Sequence, residues 1–353
     1  MKYTGILMKI AMLGPFEHPP REGGVERHVH YLSENLEKLG VEIERHSWKA
    51  GSSSAGVSGI TKISLPCLGG LFAKSDADIV HLHSTAIVFS LLSGLGKFRK
   101  KSVATIHSFY HPEYESSFRM KTVVSALKLP YVLALKRIPK HIAVSGFMKD
   151  EAAGQGIIDA EVIPNGIPFA ELQSVRPAAE YESDVVFAGR FSEQKGIFDF
   201  IEALGSSNLR AAVAGYGDPS IERKIAGLCG KAGIRCHIRP ATETMMQVIK
   251  SARVFAFPSK YEPFGIVGLE ALALGKPVVV YKQSGGPLDY ILDGVNGLAI
   301  GANPGALRQA VASLLKNESM LKKMSSNASA SAKKFDWADI AQETKAFYEK
   351  INS

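Results

Sequence analysis

Residues 252–283 read ARVFAFPSKYEPFGIVGLEALALGKPVVVYKQ, and this stretch holds two strand patterns with a helical one between them. ARVFAFPS (252–259) and PVVVYKQ (277–283) are short runs rich in aromatic and β-branched residues, bounded by Pro and Gly. GIVGLEALALG (265–275) is made largely of helix formers and ends on a glycine stop. Apolar strands joined by a helix pair in parallel and lie between helical layers. The stretch therefore predicts one β-α-β unit.

Working outward, the same alternation fills the chain. Strand patterns precede this unit at DVVFAGRF (184–191), LRAAVAGYG (209–217) and IRCHIRP (234–240). An earlier series comprises KIAMLGPF (9–16), EIERHSW (42–48), DIVHLHS (78–84), KSVATIHS (101–108), KHIAVSG (140–146) and EVIPNG (161–166). Between strands lie amphipathic segments such as VERHVHYLSENLEKLG (25–40), with Gly40 as a stop, and FDWADIAQETKAFYEKI (335–351) closes the chain. A length of 353 residues exceeds what one core serves. The polar, Pro/Gly-marked run PNGIPFAELQSVRPAAEYESD (164–184) is the natural boundary. The expected fold is α/β, with two Rossmann-like doubly wound domains, 1–166 and 167–335. Such domains in tandem face each other across a cleft, and they bind ligands beyond the carboxyl ends of their strands. GSSSAGVSG (51–59) reads as a mobile loop within the first domain.

Composition narrows the function classes. With 46% hydrophobic and 22% charged residues the chain is globular, not low-complexity. Cys67, Cys229 and Cys236 are odd in number and form no C-x-x-C, which argues against a disulfide framework or a zinc site. Lys2 and Lys9 interrupt the apolar N-terminus, and no stretch reaches the roughly 20 apolar residues of a membrane span. A cytosolic protein is expected, or one peripheral to a membrane. The formal charge of +8 is regional: between 91 and 149 stand Lys or Arg at 97, 99, 100, 101, 119, 121, 128, 136, 137, 140 and 149, against Glu113 and Glu115 as the only acids. In RMKTVVSALKLPYVLALKRIPK (119–140) the cations interleave with apolar residues, which suits an anionic membrane surface. No nucleic-acid module accompanies the charge, so nucleic acid is not an expected partner.

The chemistry-bearing residues follow strands. Arg190 and Lys195 flank the turn after DVVFAGRF, ahead of a helix at Gly196; two cations with helix-start amides form a diphosphate site without metal. After ARVFAFPS, Pro263 is expected at the first helical position, leaving Glu262 in the loop and the amides of Phe264, Gly265, Ile266 and Val267 at the helix opening. Glu270 then lies about 10 Å along, at about 1.5 Å per residue. That is too far for a retaining-hydrolase carboxylate pair at about 5 Å. Ionised carboxylates are acceptors that suit diols, so the spacing fits an object with hydroxyls at both ends, such as a nucleotide sugar. Gly23 and Gly24 at a helix start permit close approach of phosphate or sugar. GYGDP (215–219) reads as a turn or a cleft edge. His107 ends a strand and opens toward the expected cleft, whereas His81 and His83 alternate on one strand face and read as structural. Asp76 and Asp78 enter their strand from its amino end, away from the cleft, and are rejected as a metal site; no metal or other cofactor is expected.

As an ordered set, GGVERHV (23–29), DIVHLHS, TIHS (105–108), AVSGFMK (143–149), VIPNGI (162–167), FAGRFSEQKG (187–196), EPFGIVGLEALALGKPVV (262–279) and DGVNGL (293–298) resemble the retaining glycosyltransferases of family four, of GT-B architecture. The resemblance implies that Glu262 contacts the donor sugar, Glu270 the ribose, and Arg190 and Lys195 the diphosphate, assisted by Gly24 and the amides of Gly265 to Val267. It implies His107 near the reaction centre, and a last helix, within 336–353, crossing back onto the first domain. The implied reaction moves a hexosyl group from a UDP-, GDP- or ADP-sugar to a glycan or lipid-linked acceptor by an oxocarbenium-like front-face displacement. Departures exist: His107-Ser108 replaces the common His-Asp, Asp289 in GGPLD (285–289) replaces a glutamate, and IRPATETMMQVIKSA (238–252) lacks a common glycine. These leave the donor base open. A GT-B sugar-nucleotide epimerase and a non-catalytic nucleotide-sugar-binding protein are the alternatives.

Overall fold

The computed structural model describes residues 8–16, 23–47, 60–62, 75–83, 101–114, 118–205 and 207–352. The 51–59 loop, Cys67 and the cations at 97, 99 and 100 lie outside them. The chain divides into two compact units, Met1–Gly166 with Trp337–Ser353, and Ile167–Asp336.

The first unit is built on strands β1 (Lys9–Gly14), β2 (Glu42–Ser47), β3 (Ile60–Lys62), β4 (Ile79–His83), β5 (Ser102–Ile106), β6 (Lys140–Ala143) and β7 (Ala160–Val162). They form one parallel sheet in the order β3-β2-β1-β4-β5-β6-β7, with Leu13 opposite Leu82 and Leu82 opposite Ala104. The chain winds outward from β1 to β3, then crosses back to β4, so the switch point lies between β1 and β4. Both neighbours of β4 are strands and all five of its residues are buried, Ile79, Val80 and Leu82 together with His81 and His83. Helix α1 (Gly24–Lys38) buries His28, Val29, Leu32 and Leu36, and Gly40 ends its turn at φ +80°. Helices α2 (Phe118–Lys136) and α3 (Gly146–Gly154) follow β5 and β6, and Ser145 caps α3 by accepting from the Met148 amide at 3.0 Å.

The C-terminal helix (Trp337–Asn352) belongs to this first unit. Its Trp337, Ile340, Phe347 and Tyr348 join the core of Met12, Val29, Leu32 and Ile79. Each such burial is worth roughly 1.5–3 kcal/mol, so the helix is an integral layer of the unit.

The second unit has β8 (Ser183–Arg190), β9 (Ala211–Tyr216), β10 (Arg235–Ile238), β11 (Ala252–Phe257), β12 (Val278–Tyr281) and β13 (Gly297–Ile300), all parallel in the order β10-β9-β8-β11-β12-β13. Its helices are α4 (Phe169–Ser174), α5 (Ile197–Leu204), α6 (Pro219–Ala232), α7 (Thr242–Ser251), α8 (Ile266–Ala273), α9 (Pro304–Lys316) and α10 (Glu318–Ala332). Val185, Phe187, Phe200, Val254, Val279 and Val311 meet in its core. The unit's two chain ends are tied together, since the Ile167 amide donates to Phe335 O at 2.8 Å and the Phe169 amide to Asp336 Oδ2 at 3.1 Å. Both units are Rossmann-like and doubly wound.

Three details differ from the sequence reading. β3 and β13 are additional edge strands: one follows a Gly/Ser-rich run, and the other is the short GLAI after a turn. Helix α8 begins at Ile266, not Pro263. Glu262 forms a β-bridge to Gly285, Pro263 and Phe264 bend the chain, and Gly265 in the left-handed region starts the helix.

Candidate functional site

In the second unit the switch point lies between β8 and β11, and the loops leaving these two strands carry the expected charges. β8 ends at Arg190, whose side chain is exposed. SEQKG then leads to α5, with Gly196 capping the helix at φ +73°. A Cβ at Gly196 would lie 2.0 Å from Pro258 O, so glycine is what lets this turn press against the end of β11. Gln194 fastens the two loops: its carbonyl accepts from the Lys260 amide at 2.8 Å, and its side chain donates to Tyr261 O at 3.1 Å.

Lys195 Nζ forms an ion pair with the Glu262 carboxylate. Both groups are largely withdrawn from water, with side-chain exposures of 21% and 8%. Glu262 is fixed by its backbone, its amide donating to Ser284 O at 2.7 Å and its carbonyl accepting from the Gly286 amide at 2.9 Å. Gly286 is close-packed there, because a Cβ would sit 2.0 Å from Pro263 O. The sequence thus brings the 192–196, 260–265 and 284–286 loops into one layer of backbone.

Past this layer, Gly268 and Leu269 donate to Gly265 O, so Ile266 and Val267 carry the leading amides of α8, on half-exposed residues. Phe264 is buried and packs against Tyr290 and Phe335, at ring distances of 5.3 and 6.3 Å. Glu270 lies inside α8 and is buried. Tyr290, which sequence inspection passes over, anchors the helix start by donating from its hydroxyl to Gly265 O at 2.6 Å. Burial, followed by the charges of Glu262, Asp289 and Glu270, pushes its hydroxyl pKa well up. Asp289 ends the short 3-10 turn Gly286–Asp289. GYGDP forms the turn from β9 into α6, with the Gly217 amide donating to Glu222 Oε1 at 2.9 Å.

In the first unit, Gly23 stands at φ +106° as the N-cap of α1, and Gly24 is that helix's first residue. His107 follows β5 directly and is partly exposed. Its Nε2 lies 3.2 Å from Nδ1 of His83, at the end of β4. His28, projecting from α1, completes a cluster with ring distances of 5.2 Å to His83 and 4.7 Å to His107. His28 Nδ1 is 2.7 Å from Asn165 Oδ1. His81 is set by Tyr348 of the C-terminal helix at 2.5 Å and by Thr105 at 2.7 Å. Burial drives these imidazoles toward the neutral form, His28 to about 4 and His81 to about 3, with His83 and His107 also well below the ordinary range. Asp76 and Asp78 lie at the amino end of β4, where both engage Lys9.

Residues 169–331 match the family model described as glycosyl transferases group 1, and residues 22–171 match glycosyltransferase family 4. The chain belongs to the group 1 glycosyltransferases. An uncharacterized glycosyltransferase of Methanocaldococcus jannaschii is 28% identical over 97% of this chain and 98% of its own length. The phosphatidyl-myo-inositol mannosyltransferase of Mycobacterium leprae is 26% identical, over 98% and 97%. Anabaena HepE in complex with UDP shares the GT-B fold, with a TM-score of 0.78 at 18% identity, over 97% of this chain and 100% of that one.

This glycosyltransferase also carries an apolar and basic helix. Among the residues of α2, Phe118, Leu129 and Leu133 are 85%, 64% and 49% exposed. Arg119, Lys121 and Lys136 on the same helix are exposed as well, and Arg137, Lys140 and Lys149 extend the basic surface beyond it. Among the described residues no helix is long and apolar enough to cross a membrane.

Proposed function

We propose that this group 1 glycosyltransferase is a metal-independent retaining hexosyltransferase, which moves a hexosyl group from a UDP-, GDP- or ADP-sugar to a glycan or lipid-linked acceptor. The observation that carries the reading is the Lys195–Glu262 pair, held by the loop layer at the β8/β11 switch point beside the leading amides of α8. A carboxylate suits sugar hydroxyls, a cation suits phosphate, and helix-start N–H groups suit phosphate oxygens, which supports a nucleotide sugar as the ligand. Glu270, further along α8, is assigned to the ribose, and Arg190 joins Lys195 at the diphosphate. Gly23 and Gly24 would let donor phosphate or sugar approach the first unit, and His107 would contact the sugar near its anomeric carbon.

In the proposed reaction the bond from the anomeric carbon to the leaving phosphate oxygen breaks through an oxocarbenium-like state. The acceptor hydroxyl forms its new bond on the same face, and its proton passes to the departing phosphate. Arg190 and Lys195 stabilise the negative charge that builds on the diphosphate, so the charge a metal would otherwise supply comes from side chains. Products are a glycoside of unchanged anomeric configuration and a nucleoside diphosphate.

For the acceptor, the exposed apolar and basic surface of α2 supports docking on anionic lipid, with Phe118, Leu129 and Leu133 in the headgroup region and the cations on phosphates. The mycobacterial phosphatidyl-myo-inositol mannosyltransferases among the relatives agree with a lipid-linked acceptor. The chain would then work as a peripheral protein at the cytoplasmic face of a membrane. The test is proton NMR of donor and lipid-linked acceptor incubated with the enzyme in chelator. A glycoside with the donor's anomeric configuration supports the proposal. An inverted product, or an altered sugar nucleotide formed without acceptor, overturns it.

A further inference from the structure

We propose that His28, His83 and His107 form a three-imidazole site for a borderline transition-metal ion of the Zn2+ class. The residues come from three elements, α1, the last position of β4 and the position after β5, which no linear spacing reveals. One ring nitrogen from each lies within 4.8 Å of the others. His83 Nδ1 and His107 Nε2 share a hydrogen bond at 3.2 Å, close to the about 3.3 Å between two ligands on a tetrahedral ion with bonds of about 2.0–2.1 Å, so an ion would take the place of the hydrogen they share. The His28 nitrogen stands within 4.8 Å of the other two and would have to draw in by up to about 1.5 Å to close the third side.

Independent of that spacing, the cluster holds a buried nitrogen with no hydrogen-bond partner. His28 Nε2, the nitrogen left free by the Asn165 contact, is in this condition, and leaving such an atom unpaired is costly. Asn165 makes His28 ready to coordinate: its amide oxygen accepts from Nδ1–H, which fixes the proton there and leaves a lone pair on Nε2. Trp337 supports the same ring edge-on at 5.3 Å. His81, although its ring is only 4.1 Å from that of His83, is not a ligand, because Tyr348 and Thr105 use both of its nitrogens.

Three neutral imidazoles without a carboxylate select Zn2+, Co2+, Ni2+ or Cu2+ over Mg2+ or Ca2+. They leave a fourth position for water. His107 is the partly exposed member, so the ion can exchange. An ion held there would withdraw His107 from the donor sugar and inhibit transfer; this consequence rests on the proposed function, whereas metal binding itself does not.

The experiment uses the full chain, stripped with chelator and dialysed, then titrated with Co2+. Wild type should take up one ion per chain with the visible absorption of tetrahedral cobalt, and Zn2+ should displace it. His107→Ala and His28→Gln should abolish the absorption and weaken Zn2+ binding at least 100-fold. His111→Ala, which alters the separate pairing with Glu113 and Glu151, should leave uptake unchanged. If His28→Gln does not unfold cooperatively, the half-buried His107→Ala carries the comparison. Absence of stoichiometric uptake by wild type, or uptake undiminished in His107→Ala, overturns the site. In a transfer assay Zn2+ should inhibit reversibly; a chain that binds Co2+ as described but transfers no sugar keeps the metal site and refutes the transferase reading instead.

Discussion

Replacing Glu262 with Gln should tighten binding of the nucleoside diphosphate while abolishing sugar transfer. Lys195 is committed to the Glu262 carboxylate. A diphosphate arriving without a sugar must draw Lys195 from that partner and approach a carboxylate that repels it. Two unit charges at 4 Å interact by about 4 kcal/mol at an effective dielectric of about 20, and desolvation offsets much of this. The net competition is then about 1–1.5 kcal/mol, or about tenfold in Kd. The nucleotide sugar behaves oppositely, because its hydroxyls occupy Glu262 when its phosphate takes Lys195, and the variant loses that compensation. Titration calorimetry of both ligands against wild type, Glu262→Gln and Lys195→Ala measures these effects. Lys195→Ala should weaken both ligands by at least tenfold. A Glu262→Gln variant that binds the nucleoside diphosphate no better than wild type would refute the competition.

Glu270→Ala should weaken nucleotide binding with a smaller loss of kcat than Glu262→Ala, and equal negligible effects of both would remove the proposed site. Tyr290→Phe, which deletes the bond to Gly265 O at the start of α8, should cost about 1 kcal/mol of stability and raise donor KM; an unchanged KM would show that the helix start holds itself. Lys276, depressed to about 8 by burial and by Lys250, is protonated in the unfolded chain but not in the folded one between pH 8 and 10.5, so its contribution to stability rises with pH across that window. At pH 7 it is a cost of at most about 3 kcal/mol. Lys276→Met should therefore raise Tm at pH 7 and lose its advantage by pH 10.5, and parallel pH profiles would contradict this. Liposome flotation should require anionic lipid and fail for Leu129→Asp with Leu133→Asp, whereas binding indifferent to charge would exclude the α2 surface.

Much of the fold was legible because buried parallel strands are largely apolar, as β12 is along its whole length, and because helices between them carry their own periodicity. The edges were less so. β3 and β13 are too short to stand out, and their pairing with β2 and β12 is a tertiary event. The same reason moved the start of α8: Pro263 favours a first helical position locally, but the Glu262–Gly285 bridge and the close approach of Gly286 keep that segment out of the helix. Sequence brought out Arg190, Lys195, Glu262 and Glu270 because they follow strands, and the structure joins Lys195 directly to Glu262. It missed Gln194 and Tyr290, whose work is to fasten one loop to another. The histidine cluster was likewise out of reach, since α1, β4 and β5 become neighbours only in the folded unit.

In the proposed reaction the second unit seats a nucleotide-diphosphate sugar by side-chain cations and helix amides. The most direct test of this seating is the unfolding temperature of the chain in chelator across UDP-, GDP- and ADP-sugars. At 100 times Kd a ligand stabilises the folded state by about 2.7 kcal/mol, so one base class should raise Tm by several degrees, and Lys195→Ala should erase the shift. Failure of every nucleotide sugar to raise Tm in chelator, or a shift that appears only on addition of Mg2+ or Mn2+, would contradict it.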